Sequence, residues 1–302
     1  IRVAGTINAS GGKGGRIGLY AGGDLDLLSS ALLLANATDS LAAARGTAGE
    51  GGLVEVGSGD NGTLNLAAGS KIDVSAAAGS AARSGRVVLR AARTGVTSTN
   101  AGGTGVALGV RQGKIVGAER VELVPYKVYT GDGTGITELT AGTSSGNSLG
   151  LDTVKADNDA FVASVNLATL KGDLDTGAAG FYLRPEVEVR NPVETGVVNS
   201  GDIALTADWD MNPLEAGVLT VRAGGNLNLK GNLSDGFSAA DTAGLLQTSP
   251  VTWSYRLAAG ADSGAADPLA IQADAPGNLK LAADKLLRTG SGDIELAAAG
   301  DI

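Results

Sequence analysis

One feature restricts this chain more than any other. Short runs of alternating apolar and polar residues, bounded by glycine, asparagine or aspartate, recur along most of its length. Thr6-Ile7-Asn8-Ala9 is followed by Gly15-Arg16-Ile17-Gly18-Leu19-Tyr20-Ala21 and then by Gly23-Asp24-Leu25-Asp26-Leu27. Lys71-Ile72-Asp73-Val74-Ser75 echoes the first run, and Gly85-Arg86-Val87-Val88-Leu89-Arg90-Ala91 echoes the second. Gly201-Asp202-Ile203-Ala204-Leu205, Gly217-Val218-Leu219-Thr220-Val221, Gly225-Asn226-Leu227-Asn228-Leu229, Gly277-Asn278-Leu279-Lys280-Leu281 and Gly292-Asp293-Ile294-Glu295-Leu296 continue the series. A period of two is strand geometry, and glycine and Asx residues are turn chemistry.

Imperfect repetition of one strand-turn unit predicts a solenoid, because a single unit buries one side chain in two and hides its apolar face only by stacking on copies of itself. The fold expected is all-β: a right-handed parallel β-helix with extra-helical loops, continuous over residues 1–302. Less regular insertions are expected at about 126–198 and 232–276. A sandwich or barrel is the competing architecture, but the short two-residue hairpin loops it needs are not evident. The period places Ile7, Ile17, Leu19, Ile72, Val88, Ile203, Leu205, Leu219, Val221, Leu227, Leu229, Ile294 and Leu296 inward. A coil should take roughly 20–25 residues. No helix of useful length is expected, although Ser238–Leu246 could make a short one. The pattern runs up to Gly300-Asp301-Ile302, which reads as a piece of a longer chain.

Composition narrows the function. Aromatics are 3% of the 302 residues, histidine and cysteine are absent, and the net charge is −9. An acidic chain without a basic stripe argues against a nucleic-acid partner, and against electrostatic docking on anionic lipid. The apolar run at Ala31–Ala35 is far short of the roughly 18 residues a membrane helix needs, so no membrane insertion is expected. Absence of cysteine fits a chain that crosses the periplasm unfolded.

The last third carries distinctive phrases in a distinctive order. They are Ser200-Gly201-Asp202-Ile203-Ala204-Leu205-Thr206-Ala207-Asp208-Trp209, then Gly217–Leu227, Leu233-Ser234-Asp235-Gly236-Phe237, Ser254-Tyr255-Arg256-Leu257-Ala258-Ala259-Gly260-Ala261-Asp262 and Ala265-Ala266-Asp267-Pro268-Leu269-Ala270. Over about residues 200–302 this succession resembles the large filamentous-haemagglutinin-like exoproteins of Gram-negative bacteria; before residue 200 only the repeat style does. The resemblance implies two-partner secretion through a cognate outer-membrane barrel, recognised by a region not in this chain. It also implies a fibre, secreted or at the bacterial cell surface, that serves adhesion, biofilm formation or toxin delivery. This stretch would be its shaft, with no catalytic residue, cofactor or metal, and with end-to-end or lateral self-association as a further expectation.

Isolated residue patterns suggest other chemistry. Parallel β-helices also include polysaccharide-active enzymes, and Asp208 and Asp210 stand two apart on one side of a strand, the spacing for paired carboxylates. Solvated turn residues flanking Trp209 are the plainer reading. Gly11-Gly12-Lys13-Gly14-Gly15 lacks the Lys-Ser/Thr spacing of a phosphate loop, and the Gly-Asp phrases lack the spacing of calcium-binding nonapeptides. Asn36-Ala37-Thr38 and Asn61-Gly62-Thr63 match N-glycosylation acceptors but read as turns. Tyr126, Tyr129, Phe237, Trp253 and Tyr255 stand out in a chain so poor in aromatics. The plainer reading is a clip of the 232–276 excursion against the stack; Phe237, Trp253 and Tyr255, with Arg256, are the candidate site for a host or bacterial glycan or receptor as the alternative.

Overall fold

The computed structural model describes residues 1–38, 49–131, 135–194, 200–211, 216–237, 252–273 and 277–302. The chain divides into two compact units, residues 1–95 with 104–125 and 164–183, and residues 96–103 with 126–163 and 184–302. Both are built of short strands paired almost entirely in parallel.

In the first unit the chain visits three parallel ladders in a fixed order. Arg2–Val3, Leu25–Leu27, Leu64–Leu66 and Leu108–Arg111 form one; Thr6–Asn8, Leu32–Leu34, Lys71–Asp73 and Lys114–Val116 a second. Arg16–Tyr20, Leu53–Gly57, Gly85–Thr94 and the first part of Ala118–Tyr129 form the third. Equivalent residues stack in register. Ile7, Leu33, Ile72 and Ile115 form one apolar column, and Leu19, Val56 and Leu89 another. Each fully buried aliphatic side chain contributes about 1.5–3 kcal/mol of transfer free energy, so the columns, more than strand propensity, hold the circuits together. The short helix Leu167–Lys171 is capped by Asn166, whose side chain accepts the Thr169 N–H at 3.0 Å, and it places Leu170 against this core.

The second unit repeats the scheme. Glu186–Asn191, Val218–Ala223, Ser254–Ala259 and Ile294–Ala298 form its longest ladder. Glu138–Thr140, Ile203–Leu205, Leu227–Leu229 and Leu279–Leu281 form another, and Leu233–Asp235 pairs with Leu287–Thr289. Val189, Val221, Leu257 and Leu296 stack in one column.

The Gly-Asx phrases have a physical meaning in this arrangement. Asp202 Oδ1 accepts the backbone N–H of Asn226 at 2.6 Å, Asn226 Oδ1 accepts that of Asn278 at 3.1 Å, and Asn278 Oδ1 accepts that of Asp301 at 2.8 Å. The glycine before Asn226 and the one before Asp301 make room for the Asx side chain of the preceding circuit, whereas the one before Asn278 makes room for the Gly260 backbone. A Cβ on Gly225 would lie 2.2 Å from Asp202 Oδ1, and one on Gly300 would lie 2.3 Å from Asn278 Oδ1. The steps span 24, 52 and 23 residues. Two of these steps have the expected circuit length, but successive strands of the longest ladder are 32, 36 and 39 residues apart (Glu186 to Val218, Val218 to Ser254, Tyr255 to Ile294), so those circuits are longer than expected.

The structure departs from the sequence pattern at five places. Val88 is buried but faces away from the core: it pairs with Glu55, while Val87 and Leu89 take the inward columns, so the doubled valine was placed one residue out of register. Ile294 and Leu296 keep the inward columns but are 40% and 38% exposed, because Ile294–Ala298 has a partner strand on one side only among the described residues. The interruption at 232–276 is narrower than its sequence suggests, since Ser254–Ala259 runs within the longest ladder, between Val218–Ala223 and Ile294–Ala298. Likewise 126–198 contains the ladder strands Glu138–Thr140 and Glu186–Asn191. Finally, Leu151–Ser164 is a helix, here α1, that the sequence did not disclose. Its inner face runs Leu151, Val154, Asp157, Asn158, Phe161, so two polar residues interrupt the apolar stripe by which a helix is recognised. The short helix expected at 238–246 lies outside the described residues.

Candidate functional site

The sequence-chosen residues lie in the second unit, and the structure separates them. Trp253 and Tyr255 are 1% and 0% exposed, and both belong to the apolar core cluster. Tyr255 occupies the column of Val187, Leu219 and Ile294, because alternation from the core residue Leu257 turns it inward. Burial, then the negative charges of Asp235 and Asp210, push its phenol far above the ordinary range. The Trp253 backbone N–H donates to Asp235 Oδ2 at 2.8 Å. Arg256, between these inward residues and Leu257, turns to the outer face, where its Nε donates to Glu295 Oε2 at 2.8 Å. Phe237 is half-buried with the Arg288 guanidinium 4.3 Å over its ring. These four residues do not converge on one aromatic platform. Of the other aromatics, Tyr126 is buried, and Tyr129 packs at the edge of the core.

Of the carboxylate pair Asp208 and Asp210, the first is engaged by the next circuit. Asp208 accepts from the backbone N–H of Asn232 at 2.8 Å and from its side-chain amide at 2.9 Å, and the first of these bonds holds its carboxyl below the usual range. It is another inter-circuit Asx contact, extended when Asn232 Oδ1 accepts the Leu286 N–H at 2.9 Å.

The most concentrated chemistry lies on the outer face of the longest ladder, where the sequence was read only as polar decoration. Glu186, Glu188 and Arg190 alternate with the core residues Val187 and Val189. Arg222 Nη1 donates to Glu188 Oε1 at 2.9 Å, Arg190 Nε donates to the same oxygen at 2.6 Å, and Thr220 Oγ1 donates to Glu186 Oε1 at 2.6 Å. Arg222 also donates to the carbonyls of Asp262 and Ala265. Glu186 and Glu188 are 0% exposed and Arg222 1%. A pair buried this deeply loses hydration that its mutual attraction only partly offsets, so its worth lies in register: removing one partner strands the other. The signal available in sequence was opposite charges on the same face of successive runs, offset by two positions: in register, Glu188 lies beside Thr220 and Arg190 beside Arg222. The first unit has counterparts in which a buried carboxylate meets an exposed arginine: Arg16 with Glu55 at 2.5 Å and Arg120 with Glu122 at 2.9 Å.

Glu186, Glu188 and Arg222 are sealed from solvent, and their bonds link neighbouring strands. No group of three or more metal-ligating side chains is found among the described residues, and no helix there is long and apolar enough to cross a membrane. Comparison of the chain with protein-family models, with curated proteins and with solved structures finds no match.

Proposed function

We propose that this chain is shaft: a stretch of right-handed parallel β-helix with extra-helical loops, from a long bacterial surface protein of the filamentous-haemagglutinin-like kind. The observation that carries the reading is the Asx relay from Asp202 through Asn226 and Asn278 to Asp301. It commits the most repeated polar residues of the chain to joining one circuit to the next. Three ladders entered in one order, with parallel pairing throughout their length, support the solenoid. Right-handedness follows from the strong preference of parallel crossovers for that hand. The burial of Trp253 and Tyr255 favours a structural role for them over stacking on a sugar.

On this reading the chain is not an enzyme. It is exported through a cognate outer-membrane barrel, and its stiffness presents a distal region for adhesion, biofilm formation or toxin delivery. The test is brief proteolysis of intact cells of the source bacterium. Peptides from residues 200–302 released into the medium, and lost when the secretion barrel is deleted, support the proposal. Recovery of those peptides only after lysis sinks it.

A further inference from the structure

Among the described residues, the second unit holds a lysine–carboxylate pair shielded from solvent. Lys127, on the strand Ala118–Tyr129, contacts Asp157 Oδ2 on α1, and Tyr129 Oη donates to that same oxygen at 2.8 Å. The ammonium also lies 4.3 Å over the Tyr129 ring. Lys13, Lys71 and Lys114 keep 66%, 38% and 62% of their side-chain surface exposed in their own carboxylate pairs, whereas Lys127 keeps 13% and Asp157 11%. Lys127 and Tyr129 pair in register with Val187 and Val189, which point into the core, and α1 places Leu151 and Val154 in that same core. A primary amine and a carboxyl are thus held together at the apolar interior, thirty residues apart in sequence.

We propose that Lys127 and Asp157 are a modification site at which the chain cross-links itself through an isopeptide bond. The salt-bridge proton first passes from Lys127 Nζ to the Asp157 carboxyl, giving amine and acid. The Nζ lone pair then attacks Asp157 Cγ, and a carbon–nitrogen bond forms. The Cγ–Oδ2 bond breaks, and Oδ2 departs as water carrying the acid proton and one proton from Nζ. Tyr129 Oη, already hydrogen-bonded to Oδ2, relays that second proton. Amine and acid become amide and water, with no oxidant or further reactant. Condensation removes two charges from a poorly hydrated place, where each is costly. Expulsion of water from the core favours the amide. The link would tie α1, whose inner face carries Asp157 and Asn158 among its apolar residues, to the ladder strand Ala118–Tyr129. In a chain without cysteine it would do the work of a disulfide.

The experiment is the intact mass of the full purified chain under denaturing conditions, followed by a peptide map. The expected result is a mass below that of the sequence by one water, and a branched peptide joining Lys127 to Asp157. Lys127→Met and Asp157→Ala should each restore the sequence mass and remove the branch. A wild-type mass equal to that of the sequence overturns the proposal, as does a lost water with no peptide joining these two residues. The wild-type measurement decides the matter even if both variants fold poorly.

Discussion

Asn226 binds Asp202 by two routes at once. Its backbone N–H donates to Oδ1 at 2.6 Å, and its side-chain amide reaches the same carboxylate at 3.2 and 3.3 Å. The Asn226 oxygen is then left to accept from Asn278 in the next circuit. A side chain with both donor and acceptor is needed at this position, which explains asparagine there and aspartate at Asp202, where only acceptance is required.

Asn226→Ala should therefore cost about 1–3 kcal/mol, since the Asn278 N–H and part of the Asp202 carboxylate lose partners together. Asn226→Asp should cost more near neutral pH, where two carboxylates would face each other, and less in acid. Gly225→Ala should also destabilise the chain, because its Cβ would fall 2.2 Å from Asp202 Oδ1. Combining it with Asp202→Ala should recover part of that loss. A double-mutant cycle on thermal melting checks this; strict additivity would show that the close approach is not what demands glycine.

Ile203 and Asn228 lie on neighbouring, paired strands but face opposite ways. Ile203 is 0% exposed in the core, whereas Asn228 sits between Ala204 and Lys280 on the outer side. Ile203→Asp should cost about 4 kcal/mol or more, because a carboxylate would enter an apolar column without a partner. Asn228→Asp should be nearly silent, with Lys280 beside it. Denaturant midpoints of the two variants should differ widely, and equal midpoints would refute the register.

How much of this was legible depends on which rule governed each residue. The inward columns through Ile72, Ile203, Leu205 and Leu227 followed from alternation alone, because a one-residue slip would expose every one of them. Val88 was misplaced because Val87 and Val88 are both apolar, so the period there fits either register. Helix α1 was missed for the reverse reason: Asp157 and Asn158 stand where the stripe should be apolar, and their partners are remote in sequence. Trp253 and Tyr255 were expected to clip an excursion to the outer face, whereas both belong to the core itself. Tyr255 follows the same alternation as its neighbours, and continuing that period through Ser254-Tyr255-Arg256-Leu257 would have placed it inside.

Asp208 should contribute to the acid limb of stability. Its folded carboxyl titrates below the ordinary 3.8, chiefly because the Asn232 backbone N–H favours the charged form. A depressed folded value means stabilisation that is complete above the unfolded value and is lost as pH falls through the folded one. The loss should therefore begin near 3.8 and continue below it. Asp208→Asn should flatten that part of a pH–melting curve and change little near neutrality beyond the removal of one exposed charge. An unchanged acid limb would mean that the Asn232 contact does not persist in solution.

Tyr255 separates packing from polar chemistry most cleanly. The side chain is fully buried among core residues, and its Oη has no hydrogen-bond partner among the described residues. An unmet buried hydroxyl costs about 1–3 kcal/mol. Tyr255→Phe keeps the ring and removes that group, so it should melt at the same temperature as the parent or higher. Tyr255→Ala removes the ring from the column of Val187, Leu219 and Ile294 and should cost about 3–5 kcal/mol. Trp253→Ala should behave like Tyr255→Ala. Adhesion of cells carrying Tyr255→Phe should match the parent, because a side chain sealed from solvent offers nothing to a glycan. Lower stability of Tyr255→Phe would reveal a partner for the hydroxyl. Lost adhesion at unchanged stability would return Trp253 and Tyr255 to the role of a binding platform.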